Sequence, residues 1–171
     1  ILRCSIKRRA IIALQQGLGK TKVAISLAIL KRSRRCLFIV PSHLKQTWEK
    51  ELRNFRLDFK IIESQKDISR LRRFNLITYN KLKAKFDRKE EKLKIDKKSG
   101  KVIDVSSTFA DILKHRFNFI AVDEIHYCSN KTTAQTKAVA KMKAKNFYGL
   151  TGTPIGNTVK NIYSLLDILW G

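Results

Sequence analysis

Along the chain, short continuous apolar runs alternate with stretches whose apolar positions recur at three- and four-residue steps. The first kind predicts strands buried on both faces, the second predicts helices packed against them. Ile11 to Leu14 reads as the opening strand and Thr21 to Leu30 as the helix after it, with Val23, Ala24, Leu27, Ala28 and Leu30 forming the apolar pattern. Cys36-Leu37-Phe38-Ile39-Val40 is a second strand stopped by Pro41. Gln46 to Phe55 follows as a helix with Trp48 and Leu52 four apart, and Ser42 is placed to cap that region. Lys60 to Glu63 predicts a third strand, Asp67 to Phe74 a short basic helix, and Asn75 to Tyr79 a fourth strand. Thr108 to His115 is a short helix before the strand Phe117 to Val122. Thr132 to Lys145 then reads as an Ala/Lys-rich helix, Phe147 to Leu150 as a strand, and Val159 to Leu169 as a closing amphipathic helix. Strand and helix in alternation predict an α/β fold with a central, mostly parallel β-sheet flanked by helices.

This periodicity breaks between Lys81 and Lys101, where ten residues are Lys or Arg against four acids. Leu93 and Ile95 alternate with charges, Ser99-Gly100 is a turn signal, and Val102, Ile103 and Val105 follow, so a β-hairpin is expected near 90–105 within a lysine-rich insertion at about 81–106. The insertion reads as a solvated excursion rather than a nucleic-acid contact.

At 171 residues the chain is long enough for one well-buried domain. Its formal net charge of +23 points to a polyanionic partner, with solubility alone as the plainer explanation. Cys4, Cys36 and Cys128 are odd in number and lack C-x-x-C spacing, which argues for a reducing, intracellular setting and against a zinc or dithiol centre. The apolar stretches fall short of the ~20 residues that span a bilayer, so no membrane partner is expected. The chain begins at Ile1 and stops at Trp170-Gly171 directly after a helical pattern, and reads as a fragment.

Chemistry concentrates after three of the strands. Gln16-Gly17-Leu18-Gly19-Lys20-Thr21 lies between the first strand and its helix. Glycines there let backbone N–H groups close on a triphosphate, Lys20 reaches the β/γ oxygens, and Thr21 holds Mg²⁺. Leu14 stands where the general phosphate-loop pattern has glycine, and a Gly-Leu-Gly-Lys-Thr is also compatible with a flexible turn before a helix. Asp123-Glu124 sits at the carboxyl end of an apolar strand, where a nucleotide enzyme places a Mg²⁺-holding carboxylate beside one that orients and deprotonates water. His126 and Thr151 are placed to sense that site. An acid pair after a strand can also be a helix cap, and Thr151-Gly152-Thr153-Pro154 a plain turn. The order of all three stretches, at carboxyl ends that share one sheet edge, favours a nucleotide-using enzyme.

Together these stretches resemble the first RecA-like lobe of superfamily-two helicases, in particular the Swi/Snf-related DNA-dependent ATPases. The resemblance runs over nearly the whole chain. Arg9 to Ala13 leading into Gly17-Leu18-Gly19-Lys20-Thr21 resembles motif I, and Val40-Pro41-Ser42 with Leu44 and Trp48 resembles motif Ia. Ile77-Thr78-Tyr79 resembles the Ib-region strand, Asp123-Glu124-Ile125-His126 the D-E-A-H box, and Leu150-Thr151-Gly152-Thr153-Pro154-Ile155-Gly156-Asn157 motif III. The resemblance implies a P-loop lobe in which Gly17, Leu18, Gly19, Lys20 and Thr21 bind ATP, and Thr21 and Asp123 hold Mg²⁺. It implies Glu124 as catalytic base, assisted by Lys20 and Asp123, and His126, Thr151, Gly152 and Thr153 as the link between nucleotide state and DNA. Pro41, Ser42, Thr78 and Tyr79 are implied to lie near the DNA backbone. Leu14, Gln15 and Gln16 replace the usual D-E-M, Ile125 replaces alanine and Gly156 replaces glutamine.

The implied function is an ATP-binding lobe of a translocase on double-stranded DNA that works with a second RecA-like lobe carrying arginine fingers. Two alternatives stay open: a strand-separating DNA or RNA helicase of the same superfamily, and a basic nucleic-acid-binding module with a degenerate ATP site. Nucleus, bacterial cytoplasm and virus are equally compatible intracellular settings.

Overall fold

In the computed structural model, residues 7–15, 17–85, 94–95, 102–103, 107–152 and 159–170 are described. Gln16, Thr153 and Gly156, together with much of the insertion, lie outside these residues.

Six parallel strands form the central sheet: β1 (Arg9–Ala13), β2 (Cys36–Val40), β3 (Phe59–Ile61), β4 (Phe74–Thr78), β7 (Phe119–Val122) and β8 (Asn146–Thr151). Their order is β1-β8-β7-β2-β4-β3, so the three strands that end in the chemistry-bearing turns are adjacent, with β8 between β1 and β7. Between them in sequence, β5 (Lys94–Ile95) and β6 (Val102–Ile103) pair antiparallel as a separate two-stranded ribbon, the hairpin expected near 90–105. The helices are α1 (Lys20–Leu30), α2 (Lys45–Asn54), α3 (Tyr79–Lys83), α4 (Phe109–Leu113), α5 (Ala134–Ala140) and α6 (Val159–Trp170).

Both faces of the sheet are covered, which is why its central strands are apolar at every position. In β2, Leu37 and Ile39 join a cluster with residues of α3 to α6, whereas Cys36, Phe38 and Val40 join the cluster under α1 and α2. The same alternation puts Ile120 and Val122 of β7 on the first side and Phe119 and Ala121 on the second. Buried on the second side, Trp48 packs its ring 4.9 Å from that of Phe38. In α1 the buried residues are Ala24, Ile25, Leu27 and Ala28, while Leu30, expected on the apolar side, is 58% exposed.

Four local expectations are corrected. The Ala/Lys-rich stretch 132–145 is helical only over Ala134–Ala140. Thr133 caps its start by accepting the Thr136 N–H at 3.2 Å, and beyond its end Lys143 N–H donates to Lys114 O at 2.9 Å while Met142 enters the core, so packing overrides helix propensity. The helix expected over 67–74 is instead a 3-10 turn, Gln65–Arg70, started by a reciprocal cap between Ser64 and Asp67. It cannot run on into β4, because buried Asn75 ties the backbone of Arg72 through its N–H (3.0 Å) and carbonyl (2.7 Å). Tyr79 opens α3 rather than ending β4, with Thr78 as its cap. Ser42 makes no side-chain cap; its hydroxyl accepts from Asn80 Nδ2 at 3.2 Å.

Candidate functional site

The glycine turn after β1 forms the first part of the candidate site. Gly17 (φ 83°) and Gly19 (φ 73°) are both left-handed, a conformation that side-chain-bearing residues avoid, and a Cβ at Gly17 would meet nothing within 4 Å. Gly19 stands at the N-terminus of α1, where free N–H groups and the helix dipole favour an anion. Lys20 folds back over the turn and donates to Leu14 O at 3.1 Å and Gln15 O at 3.4 Å. These contacts engage its ammonium with carbonyls that a phosphate oxygen would outcompete by charge. Leu14, where the general pattern has glycine, continues the sheet: its N–H donates to Thr151 O at 3.1 Å.

At the end of β7 the chain breaks sharply. Glu124 is left-handed (φ 47°), an uncommon state for a residue with a side chain, and it stands before a 3-10 turn, Ile125–Cys128. All polar groups of Asp123 are engaged. Its N–H donates to Ile39 O at 2.8 Å, its Oδ1 accepts from Glu124 N–H at 3.0 Å, its Oδ2 accepts from the Trp48 indole at 2.7 Å, and its carbonyl accepts from the Tyr79 hydroxyl at 2.7 Å. Burial pushes the Asp123 carboxyl up, the indole bond opposes that rise, and the neighbouring Glu124 charge adds to it. His126 Nδ1 lies 3.0 Å from Thr151 Oγ1 and 3.2 Å from Glu124 Oε2, joining the acid pair to the end of β8.

These parts meet around one cavity of about 710 Å³, lined by Gly17, Lys20, Thr21, Asp123, Glu124 and Gly152. Parallel strands with adjacent carboxyl ends bring them together from positions more than a hundred residues apart. His126 also lines this cavity, whereas Thr151 is buried and reaches it through His126. His43, Leu44 and Tyr127 line it too, and the sequence did not single out His43 or Tyr127; loop residues without a motif carry no such signal.

A second cavity, about 540 Å³, brings together Pro41, Ser42 and Tyr79 of the residues implied to lie near a nucleic-acid backbone, with Asn80 and Lys83 beside them. His43 and Tyr127 line both cavities. Thr78 lines neither, and its hydroxyl accepts the Lys81 N–H at 3.3 Å as a helix cap. Tyr79 is turned inward: it is 3% exposed, with its hydroxyl committed to the Asp123 carbonyl.

The residues present suit magnesium bound with a triphosphate. Mg²⁺ is usually held by one or two protein groups plus phosphate oxygens, and the cavity offers one buried carboxylate and the Thr21 hydroxyl beside an anion cradle. Among the described residues, no three His, Cys, Asp or Glu side chains gather into a cluster that would hold a metal by themselves.

Comparison with known proteins agrees with this architecture. The chain is 29% identical over 168 residues to the DNA repair protein RAD5 of Yarrowia lipolytica, covering 93% of this chain and 16% of that protein. It is 29% identical over 173 residues to the chromatin-remodeling ATPase INO80 of Candida albicans, covering 93% of this chain and 12% of the relative. An uncharacterized ATP-dependent helicase of Mycoplasma pneumoniae shares 27% identity over 166 residues, with 93% of this chain and 14% of that protein covered. The chain thus spans less than a fifth of these relatives' length. The Sulfolobus solfataricus SWI2/SNF2 ATPase core solved in complex with dsDNA shares the fold, with a TM-score of 0.72 at 24% identity over 99% of this chain and 33% of that one. Among the described residues, no helix is long and apolar enough to cross a membrane. The profile of the SNF2-related domain family matches residues 2–170, and the chain belongs to that family.

Proposed function

We propose that this chain is the ATP-binding lobe of an ATP-dependent translocase on double-stranded DNA. The observation that carries this is the single cavity shared by the glycine turn with Lys20 and Thr21 and by the Asp123-Glu124 pair, with His43 and Tyr127 lining both this cavity and a second one. Backbone N–H groups at Gly17 to Lys20 would bind the phosphates, and Lys20, released from Leu14 and Gln15, would pair with the β/γ oxygens. Asp123 and Thr21 would hold magnesium, which when bound neutralises charge on the phosphates. Glu124, its backbone held in an uncommon conformation, would orient the attacking water and take its proton, with His126 fixing the carboxylate against Thr151. Gly152 and Thr153 would carry changes at that pair into the rest of the protein. Pro41, Ser42 and Tyr79 would border the nucleic-acid path, with Thr78 holding the turn from behind. A second RecA-like lobe of the full-length protein would complete the active site.

Measuring ATP hydrolysis by the full-length protein with duplex DNA, single-stranded DNA and RNA tests the proposal. Stimulation by duplex DNA is expected. Stimulation by single strands or RNA alone would assign the lobe to a strand-separating helicase, and nucleotide-independent binding without hydrolysis would assign it to a plain binding module. Nucleic-acid affinity should depend steeply on salt because the chain carries +23. If about five phosphates of duplex DNA are neutralised, the log-log slope should be about −4.5, with little change between sequences. A slope near zero, measured by titration at several salt concentrations, would count against phosphate-led binding.

A further inference from the structure

One side of Asp123 faces the cavity, and the other is closed by a side chain from a different element. Trp48, wholly buried on α2, donates its indole N–H to Asp123 Oδ2 at 2.7 Å. It belongs to the apolar cluster of Phe38, Phe74 and Phe119, is among the described residues the one polar contact to that oxygen, and does not itself line the cavity. An indole N–H donates only, so it orients a carboxylate without competing for a cation. Carboxylates that hold metals owe their geometry to such outer hydrogen bonds. The helix that carries Trp48 follows Pro41 to Leu44, the turn whose His43 lines both cavities.

We propose that Trp48 is a positioning residue for the divalent cation, holding the Asp123 carboxylate in the orientation that magnesium nucleotide requires. This rests on the reading of Asp123 as a magnesium ligand. The alternative, that the indole merely fills the core and satisfies its own N–H, makes different predictions for magnesium and for packing. A packing role would not distinguish nucleotide bound with magnesium from nucleotide bound without it.

The test measures binding of a fluorescent ATP analogue to the full-length protein, in excess magnesium and in EDTA. Trp48→Phe should weaken binding in magnesium by about 10- to 100-fold, the usual effect of losing an outer-sphere partner, and leave binding in EDTA unchanged. Phe38→Leu, which disturbs the ring packed on Trp48 without touching Asp123, should leave the magnesium dependence as in the wild type. Should Trp48→Phe fold poorly, incorporation at position 48 of the tryptophan isostere with sulfur in place of the ring N–H removes the donor at constant shape. An isostere with wild-type magnesium dependence would overturn the proposal, as would an equal shift in Phe38→Leu. A wild-type protein whose nucleotide binding ignores magnesium would overturn the reading of Asp123 itself, and this proposal with it.

Discussion

In the full-length protein, Glu124→Gln is expected to retain ATP binding and to lower DNA-stimulated hydrolysis by about 10²- to 10⁴-fold, the usual contribution of a positioned general base. The amide keeps the size and planarity of the carboxylate, so the left-handed backbone at 124 and the contact with His126 can persist while the proton acceptor is lost. Lys20→Ala acts on the other half of the cavity. On the proposed function it removes a cation that would bond to phosphate, and a charged hydrogen bond is worth about 1.5–3 kcal/mol, so binding should weaken by about 10- to 150-fold. Equilibrium binding and single-turnover hydrolysis separate the two effects. Equal losses of ATP affinity in both variants would remove Glu124 from the chemical step and make it part of the binding surface.

Much of this site was legible because its parts lie in short stretches with local backbone requirements. Gly17 and Gly19 favour left-handed turns, and the run Phe117 to Val122 reads as a buried strand, which the structure forms over Phe119–Val122. The core strand β2 was readable to the residue for the same reason, since Cys36 to Val40 is apolar at every position and Pro41 stops it. What was not legible depends on contacts distant in sequence. Trp48 reads as an apolar helix position four before Leu52, and nothing local announces that its N–H meets a carboxylate 75 residues away. Tyr79 reads as the last residue of a strand, but it opens α3 and its hydroxyl finds a buried carbonyl at Asp123. The helix over 132–145 was overcalled by composition, because alanine and lysine favour helix anywhere, whereas the tie from Lys143 to Lys114 exists only in the folded protein.

Ile125, the departure from alanine in the acid box, has its explanation across the sheet at Gly149. Gly149 lies in β8 beside Val122 and Ile11, and its backbone is ordinary strand, so conformation does not demand a glycine there. Space does: a Cβ at Gly149 would stand 2.6 Å from Ile125 Cδ1, 2.9 Å from Cγ2 and 3.2 Å from Cβ. The large side chain at 125 and the missing one at 149 therefore fill one volume between them. Gly149→Ala should overpack it and destabilise the protein by about 1–3 kcal/mol. Ile125→Ala, at a wholly buried position, should leave a cavity and cost about 2–5 kcal/mol. The double variant should be more stable than the sum of the two, by a coupling of about 0.5–3 kcal/mol, because the new methyl then enters the space the isoleucine vacates. Denaturant unfolding of the four proteins reads this directly. Strict additivity would mean that Ile125 swings clear of an added Cβ, and that the two positions do not share the space that seats the acid pair against β8.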